Sequence, residues 1–310
     1  MTIDPNSVDE AAALLRAGQL CAFPTETVYG LGADATDADA VLAIYETKGR
    51  PRFNPLIIHC ADLAMAESLA FLSPLARRLA TLWPGPLTLV LPAKPGNRLA
   101  DVATAGLDTV AVRIPDHPLA LALLAAVGRP LAAPSANPSG RLSPTTAYQV
   151  RLGFAGRVPV LDGGPCQAGV ESTIVRVDGD QLVQLRAGSM AREEIEQALG
   201  VSIAIAEKDA AIAAPGMLLS HYAPNAALRL NTVPREGEAY LAFGAADEFA
   251  GPTRNLSPTG DLHEAARNLF AMLHELDALG KNLIAVAPIP DSGLGEAIND
   301  RLQRAAAPRE

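Results

Sequence analysis

Lys48-Gly49-Arg50-Pro51-Arg52-Phe53-Asn54-Pro55 sets three cations within five positions, directly ahead of the apolar run Leu56-Ile57-Ile58-His59. Gly49 allows a ligand close to the backbone, while Pro51 and Pro55 fix φ and bias Arg50 and Asn54 away from helix, so the charges are expected on a stiff loop. A lysine ammonium is a point charge and an arginine guanidinium a planar fork; together they suit several oxygens of one polyanion. A solvated basic loop would be the better explanation of the three cations if they stood alone. They do not: Thr25, Thr27, His59, Thr109, Arg113, Ser135, Ser143, Ser172 and Arg186 nearly all fall at ends of predicted strands, where open α/β sheets build ligand crevices. Arg113 interrupts an otherwise apolar strand, and a buried arginine needs an anionic partner. This set supplies hydroxyl and cationic donors without a Ser-His-Asp, Cys-His or paired-carboxylate arrangement. The chemistry it fits is positioning with electrostatic stabilisation, as in phosphoryl and nucleotidyl transfer. No Gly-x-x-x-x-Gly-Lys-Ser/Thr run occurs, so a nucleotide would be held without a P-loop.

The elements that must position these groups alternate along the chain. Ser7-Val8-Asp9-Glu10 is a capping box for a helix closed by Gly18. A strand at residues 20–23 opens into a hydroxyl- and glycine-rich loop at 24–35, and a helix at 39–47 leads into the cationic turn. Residues 56–60, 87–91, 110–114, 131–133 and 158–161 read as strands. Helices begin at Ser73-Pro74 and run over residues 118–127, the second stopped by Gly128. Residues 173–177 and 182–185 form a hairpin across Asp178-Gly179, so the sheet should be mixed. Ser189 is expected to cap a helix ending at Gly200, which closes the regular structure of the first domain. Beyond a linker come strands at 240–243 and 283–287, a last helix at 295–306, and a long helix whose Leu262, Ala265, Ala266, Leu269, Met272, Leu273 and Leu276 follow three-four spacing. His263 and His274 on that helix are read as surface or rim residues. The resulting division is a catalytic domain over residues 1–206, a linker or lid over 207–224, and a smaller α/β domain over 225–310.

At 310 residues with 49% hydrophobic content, the chain can build cores in two domains. The net charge of −9 argues against a nucleic-acid surface spread over the whole protein and favours local basic spots for a small anion. Cys21, Cys60 and Cys166 form neither a disulfide framework nor a metal-ligand pattern. With no leader-like start and no apolar run approaching a membrane span, a cytoplasmic protein is expected.

Five blocks in order carry a family resemblance: Pro24-Thr25-Glu26-Thr27-Val28-Tyr29-Gly30-Leu31-Gly32; Lys48-Gly49-Arg50-Pro51 with Asn54-Pro55-Leu56; Trp83-Pro84-Gly85-Pro86-Leu87-Thr88; Pro134-Ser135-Ala136-Asn137 with Ser139-Gly140 and Ser143-Pro144-Thr145; and Gly169-Val170-Glu171-Ser172-Thr173-Ile174-Val175. The chain resembles the YrdC/Sua5 family of threonylcarbamoyl-AMP synthases. Pro215-Gly216-Met217 and His221-Tyr222-Ala223-Pro224 extend the likeness to the longer, two-domain Sua5 form. The resemblance implies an α/β fold, a YrdC-like twisted mixed sheet with helices followed by a smaller Rossmann-like C-terminal domain. It also implies an enzyme that joins L-threonine, bicarbonate and ATP into threonylcarbamoyl-adenylate and pyrophosphate, for the threonylcarbamoyl modification of the tRNA adenosine beside the anticodon. By the same resemblance Lys48 and Arg50 are the catalytic cations. Lys48, Arg50, Asn54, Thr109, Ser135, Ser143, Arg186 and Tyr222 hold ATP, and Thr27, His59, Arg113, Ala133 and Ser172 hold threonine. Mg2+ is expected with ATP, its ligands unassigned, and a downstream tRNA threonylcarbamoyl transferase is the expected acceptor of the product. A linker has no need of His-Tyr-Ala-Pro, so this segment is expected to fold over the crevice as a lid. Two other classes share parts of the pattern: an RNA-binding module without ATP turnover, and a carbamoyltransferase-type maturation factor, whose zinc-finger cysteines are missing here.

Overall fold

The protein is described as a computed structural model over residues 4–207, 221–245 and 249–308. Nine strands form the first sheet: β1 (Cys21–Phe23), β2 (Gly30–Asp34), β3 (Ile57–His59), β4 (Leu87–Pro92), β5 (Thr109–Arg113), β6 (Leu131–Ala132), β7 (Thr173–Asp178), β8 (Gln181–Arg186) and β9 (Ala204–Ile205). Their order is β1-β2-β6-β3-β5-β4-β7-β8-β9. The pairs β3/β5, β4/β7 and β8/β9 are parallel and the others antiparallel, which makes the sheet mixed as expected. The helices of this unit are α1 (Val8–Arg16), α2 (Ala38–Lys48), α3 (Leu63–Leu69), α4 (Pro74–Leu79), α5 (Asp101–Thr104), α6 (Pro118–Val127), α7 (Ala147–Gly153) and α8 (Arg192–Leu199).

Strand alternation separates the core from the site. Ile58, Val110 and Val112 face the main core, where Ile44 and Tyr45 of α2 pack against them. Ile57 and Ala111 face the other way, into a small cluster with Val90, Ile174 and Leu185. His59 and Arg113 follow on that second face.

The C-terminal unit carries β10 (Ala227–Arg229), β11 (Ala239–Ala242), β12 (Thr253–Asn255), α9 (Leu262–Asp277), β13 (Leu283–Val286) and α10 (Leu294–Ala306). Its strands are all parallel, in the order β10-β13-β11-β12. The three-four stripe of α9 is buried at Ala265, Ala266, Leu269, Leu273 and Leu276. That core is shared: Val28, Leu142, Val170 and Tyr222 pack into it from outside the C-terminal unit. Among the described residues no helix is long and apolar enough to cross a membrane.

Four expectations change. The segment at 24–35 is not all loop, because residues 30–34 form β2, pairing with β1 over 30–32 and with β6 over 33–34. Glycine is a poor strand former, yet a Cβ at Gly32 would lie 2.8 Å from the Phe23 ring, so the hairpin needs the empty position. Residues 158–161 add no strand and meet β1 only through the Ala22–Val160 bridge. The N-cap of α8 is Ala191, not Ser189, with Glu194 reaching back to the Ala191 N–H. Regular structure also continues past Gly200 into β9, which pairs with β8. Most of the expected linker, residues 208–220, lies outside the described residues.

Candidate active site

The cationic turn starts at the end of α2. Asp37 caps this helix by accepting from the N–H groups of Asp39 and Ala40, and Gly49 ends it in the left-handed region at φ 62°. Lys48 is thereby turned inward, 4% exposed, donating from Nζ to the carbonyl oxygens of Ser135, at 2.6 Å, and Asn137. Burial first, then the neighbouring Arg50 charge, push its ammonium well below the ordinary lysine value, while Glu171 opposes the shift. Arg50 is also buried and donates to the carbonyls of Pro55 at 3.0 Å and Asn54 at 3.3 Å. Burial lowers its guanidinium to about 10. The loop thus does not display its charges as the sequence suggested; only Arg52 is exposed. Asn54 is fully buried, and neither its Oδ1 nor its Nδ2 has a hydrogen-bond partner among the described residues. A buried amide left open in this way is suited to a ligand.

The mixed strand directions gather the remaining groups at one edge of the sheet. His59 and Arg113 end β3 and β5 side by side, Thr88 is the second residue of β4 and lies opposite Arg113, Ser172 precedes β7, and Arg186 ends β8. Arg113 Nη1 donates to Thr27 Oγ1 at 3.0 Å, and its Nη2 lies 2.6 Å from Glu26 Oε1. That close ion pair is not aligned as a hydrogen bond. The anionic partner the sequence demanded for Arg113 is therefore Glu26, within the protein. Burial, with Arg113 second, lowers the His59 imidazole to about 3, so it is neutral, and its Nδ1 is unpartnered. Arg186 donates to the carbonyl of Ser172 at 2.8 Å from Nη2 and 3.1 Å from Nε, and Ser172 Oγ shares a 2.8 Å hydrogen bond with Thr88. Thr25 organises the turn beneath Thr27: its hydroxyl accepts from the N–H groups of Thr27 and Val28.

These groups open onto one shared cavity. Thr27, Arg50, His59 and Arg113 line it, as do Ala133, Ser135, Ser172 and Arg186. His221 and Tyr222 also line it, so the described end of the expected lid lies against the crevice. Tyr222 adopts a left-handed backbone at φ 61°, unusual for a side chain of this size. The conformation is held by the Ala223 N–H donating to the Gly140 carbonyl at 2.8 Å and by the ring packing on Phe270.

Four expected site residues stand apart from the cavity wall. Lys48 reaches it only through the carbonyl of Ser135, to which its Nζ donates. Ser143 is buried with its hydroxyl donated to Glu171. Asn54 does not line the cavity but holds Arg50, its carbonyl accepting from Arg50 Nε. Thr109 opens β5 whereas Arg113 closes it, and four residues of strand span about 13 Å. On the same face, Thr109 is two residues before the Ile57–Ala111 pair, level with Pro55 and the Arg50 end of the cavity.

The sequence reading missed two carboxylates, a histidine and an arginine. Glu26 and Glu171 sat inside quoted motifs, but only their contacts reveal their partners. His221 was quoted without a role. Arg301 carried a local signal: it falls between Ile298, Leu302 and Ala305 on the buried face of α10. Conversely, the rim reading of His274 misses that its Nε2 lies 3.3 Å from the Ser143 carbonyl.

Comparison with known proteins adds an independent line. Residues 13–188 match the Sua5/YciO/YrdC domain family, described as telomere recombination, and residues 190–307 match the threonylcarbamoyl-AMP synthase C-terminal domain. The chain is 42% identical to the threonylcarbamoyl-AMP synthase of Bacillus subtilis over 99% of its own length and 95% of the relative's. It is also 42% identical to that of Pyrococcus abyssi, covering 96% of this chain and 94% of the relative. The fold matches the crystal structure of P. abyssi Sua5 complexed with L-threonine at a TM-score of 0.89, over 96% of this chain and 94% of that one.

Proposed function

This chain belongs to the Sua5 family of threonylcarbamoyl-AMP synthases, and on that premise we propose that the cavity under Tyr222 is where L-threonine, bicarbonate and ATP meet. The observation that carries the assignment is the convergence of Arg50, Arg113 and Arg186, all nearly fully buried, on one cavity. The two carboxylates beside it, Glu26 and Glu171, are each already engaged by a guanidinium. The surplus positive charge calls for anionic substrates.

At the strand-end side, Arg113 is held by Glu26 and Thr27 to receive the threonine carboxylate. Neutral His59, Thr27 and Ser172 offer hydrogen bonds to the amine and hydroxyl, with the small Ala133 leaving room for the methyl. Such a polar pocket rejects analogues that lack the hydroxyl. The threonine amine attacks the carbonyl carbon of bicarbonate, water leaves, and a carbamate forms. A carbamate oxygen then attacks the α-phosphorus of ATP, and pyrophosphate departs as the P–O bond to the β-phosphate breaks. Arg50 and Arg186 line the cavity and would offset the charge that grows on the phosphate oxygens, with Lys48 bound to the carbonyl of Ser135 on the same wall. Asn54 and Thr109 extend this side towards the rest of the nucleotide, Ser143 acts with Glu171, and Tyr222 with His221 closes the site over a labile carbamate and adenylate.

Magnesium is treated as part of the ATP substrate. No cluster of three or more His, Cys, Asp or Glu occurs among the described residues, so no side chain is assigned to it. The product, a mixed anhydride, is passed to a tRNA threonylcarbamoyl transferase. The catalytic unit is taken as residues 1–206 and the C-terminal unit as 225–310.

The test is pyrophosphate release from magnesium-ATP, omitting threonine and bicarbonate in turn and offering serine in place of threonine. Release should require both substrates and fall with serine by roughly the 10–200-fold that a missing methyl group costs, since serine keeps the hydroxyl but leaves the space beside Ala133 unfilled. Release indifferent to threonine would overturn the substrate assignment.

A further inference from the structure

None of the residues lining the cavity comes from residues 225–310, yet one charge of that unit reaches the cavity wall from behind. Arg301 of α10 is only 1% exposed and heads the fully buried side chains of the protein by size. Its Nε donates to Glu171 Oε2 at 2.8 Å, and its Nη1 donates to Asp300 Oδ2 at 2.6 Å. The guanidinium also lies over the Tyr222 ring, 5.1 Å from its centroid. The second oxygen of Glu171 accepts from Ser143. One side chain thus grips both Glu171 and Tyr222, each of which lines the cavity.

A buried ion pair that merely fastens two domains is the plainer reading. Two observations weigh against it. The shared apolar core through Val28, Leu142, Val170 and Tyr222 already joins the units, and burying an arginine and a glutamate carries a desolvation cost that apolar residues avoid. The groups held are also specific to the site: an anion facing the nucleotide side and the aromatic wall of the lid.

We propose that Arg301 is a positioning residue for ATP, which neutralises Glu171 and holds the Tyr222 ring in place, so that the C-terminal unit completes the nucleotide end of the cavity. The proposal rests on the nucleotide reading above. Without the guanidinium, Glu171 would face the ATP phosphates with only Arg186 nearby and the Ser143 hydroxyl to offset its charge, and Tyr222 would lose the cation on its outer face.

The experiment is steady-state kinetics on the full chain with Arg301→Met, Arg301→Lys, Glu171→Gln and the double variant Arg301→Met/Glu171→Gln, with wild-type protein alongside. Arg301→Met should raise KM for ATP at least about tenfold while KM for threonine moves much less. Arg301→Lys, keeping the charge but losing the fork, should fall between. The double variant should recover much of the ATP affinity lost in Arg301→Met, because the stranded anion is gone; a structural fastening would predict further loss. An unchanged KM for ATP in a folded Arg301→Met protein, or a double variant no better than the single, overturns the proposal. Should Arg301→Met fail to fold, Arg301→Lys decides: an ATP KM equal to wild type overturns it. Absence of threonine-dependent turnover in the wild type would instead strike the function, before any variant is compared.

Discussion

Burial, followed by the Arg113 guanidinium, drives the His59 imidazole from the ordinary 6.5 to about 3. The consequence for stability has a definite sign. As pH falls below 6.5 the unfolded chain takes up a proton at His59 and the folded protein does not, until the pH nears 3. The stabilisation is complete above 6.5 and is lost on acidification, at up to about 1.4 kcal/mol per pH unit. In His59→Gln that loss disappears, so urea unfolding of the variant between pH 6.5 and 4 should depend less on pH than that of wild type. Equal slopes would show that His59 is not buried as a neutral ring. The residue types of the site were legible in the sequence: the cations of the turn, the lone arginine in an apolar strand, the hydroxyls of the loops. Their partners were not, because Glu26 meets Arg113 and Glu171 meets Arg301 across wide separations in the chain, and no local rule encodes such pairs.

Among the elements, the loop before β7 shows how closely the units are fitted. Gly169 has φ +76°, and a Cβ there would lie 2.4 Å from the Ala266 carbonyl and from the Arg267 backbone in α9. Gly169→Ala should therefore cost about 2–4 kcal/mol, combining the left-handed backbone with forced displacement of α9. It should also raise KM for substrates, since Glu171 and Ser172 follow directly. Gly128→Ala is the control: φ is +67° but nothing lies within 4 Å of the added Cβ, so only about 1 kcal/mol is expected. Chemical denaturation of both variants checks the difference, and equal losses would mean that α9 is not fixed against the loop. Helices with strong caps, such as α2 behind Asp37 and α4 behind Ser73, could be read from sequence. β2 could not, because its two glycines disfavour a strand until the Phe23 ring claims their space.

For the molecule as a whole, a core shared between the two units predicts one cooperative unfolding transition rather than two. ATP at ~100 times its Kd should stabilise the folded state by about 2.7 kcal/mol, a rise of several degrees in midpoint for a protein of this size. Tyr222→Ala should keep the single transition but shrink the ATP-induced rise, because the ring walls the cavity as well as packing in the C-terminal core. Calorimetry with and without ATP reads both, and two separate transitions in wild type would contradict the shared core. By itself the sequence determined the alternation of strands and helices, the residue types that make an anion site, and the family, since these lie in local periodicity and short motifs. The tertiary structure alone decided that the strand directions bring His59, Arg113, Thr88, Ser172 and Arg186 to one edge, that Thr109 sits at the far end of β5, and that Arg301 of α10 reaches Glu171. Those outcomes depend on sheet order and domain docking, where the energy comes from contacts between segments that no single stretch of chain contains.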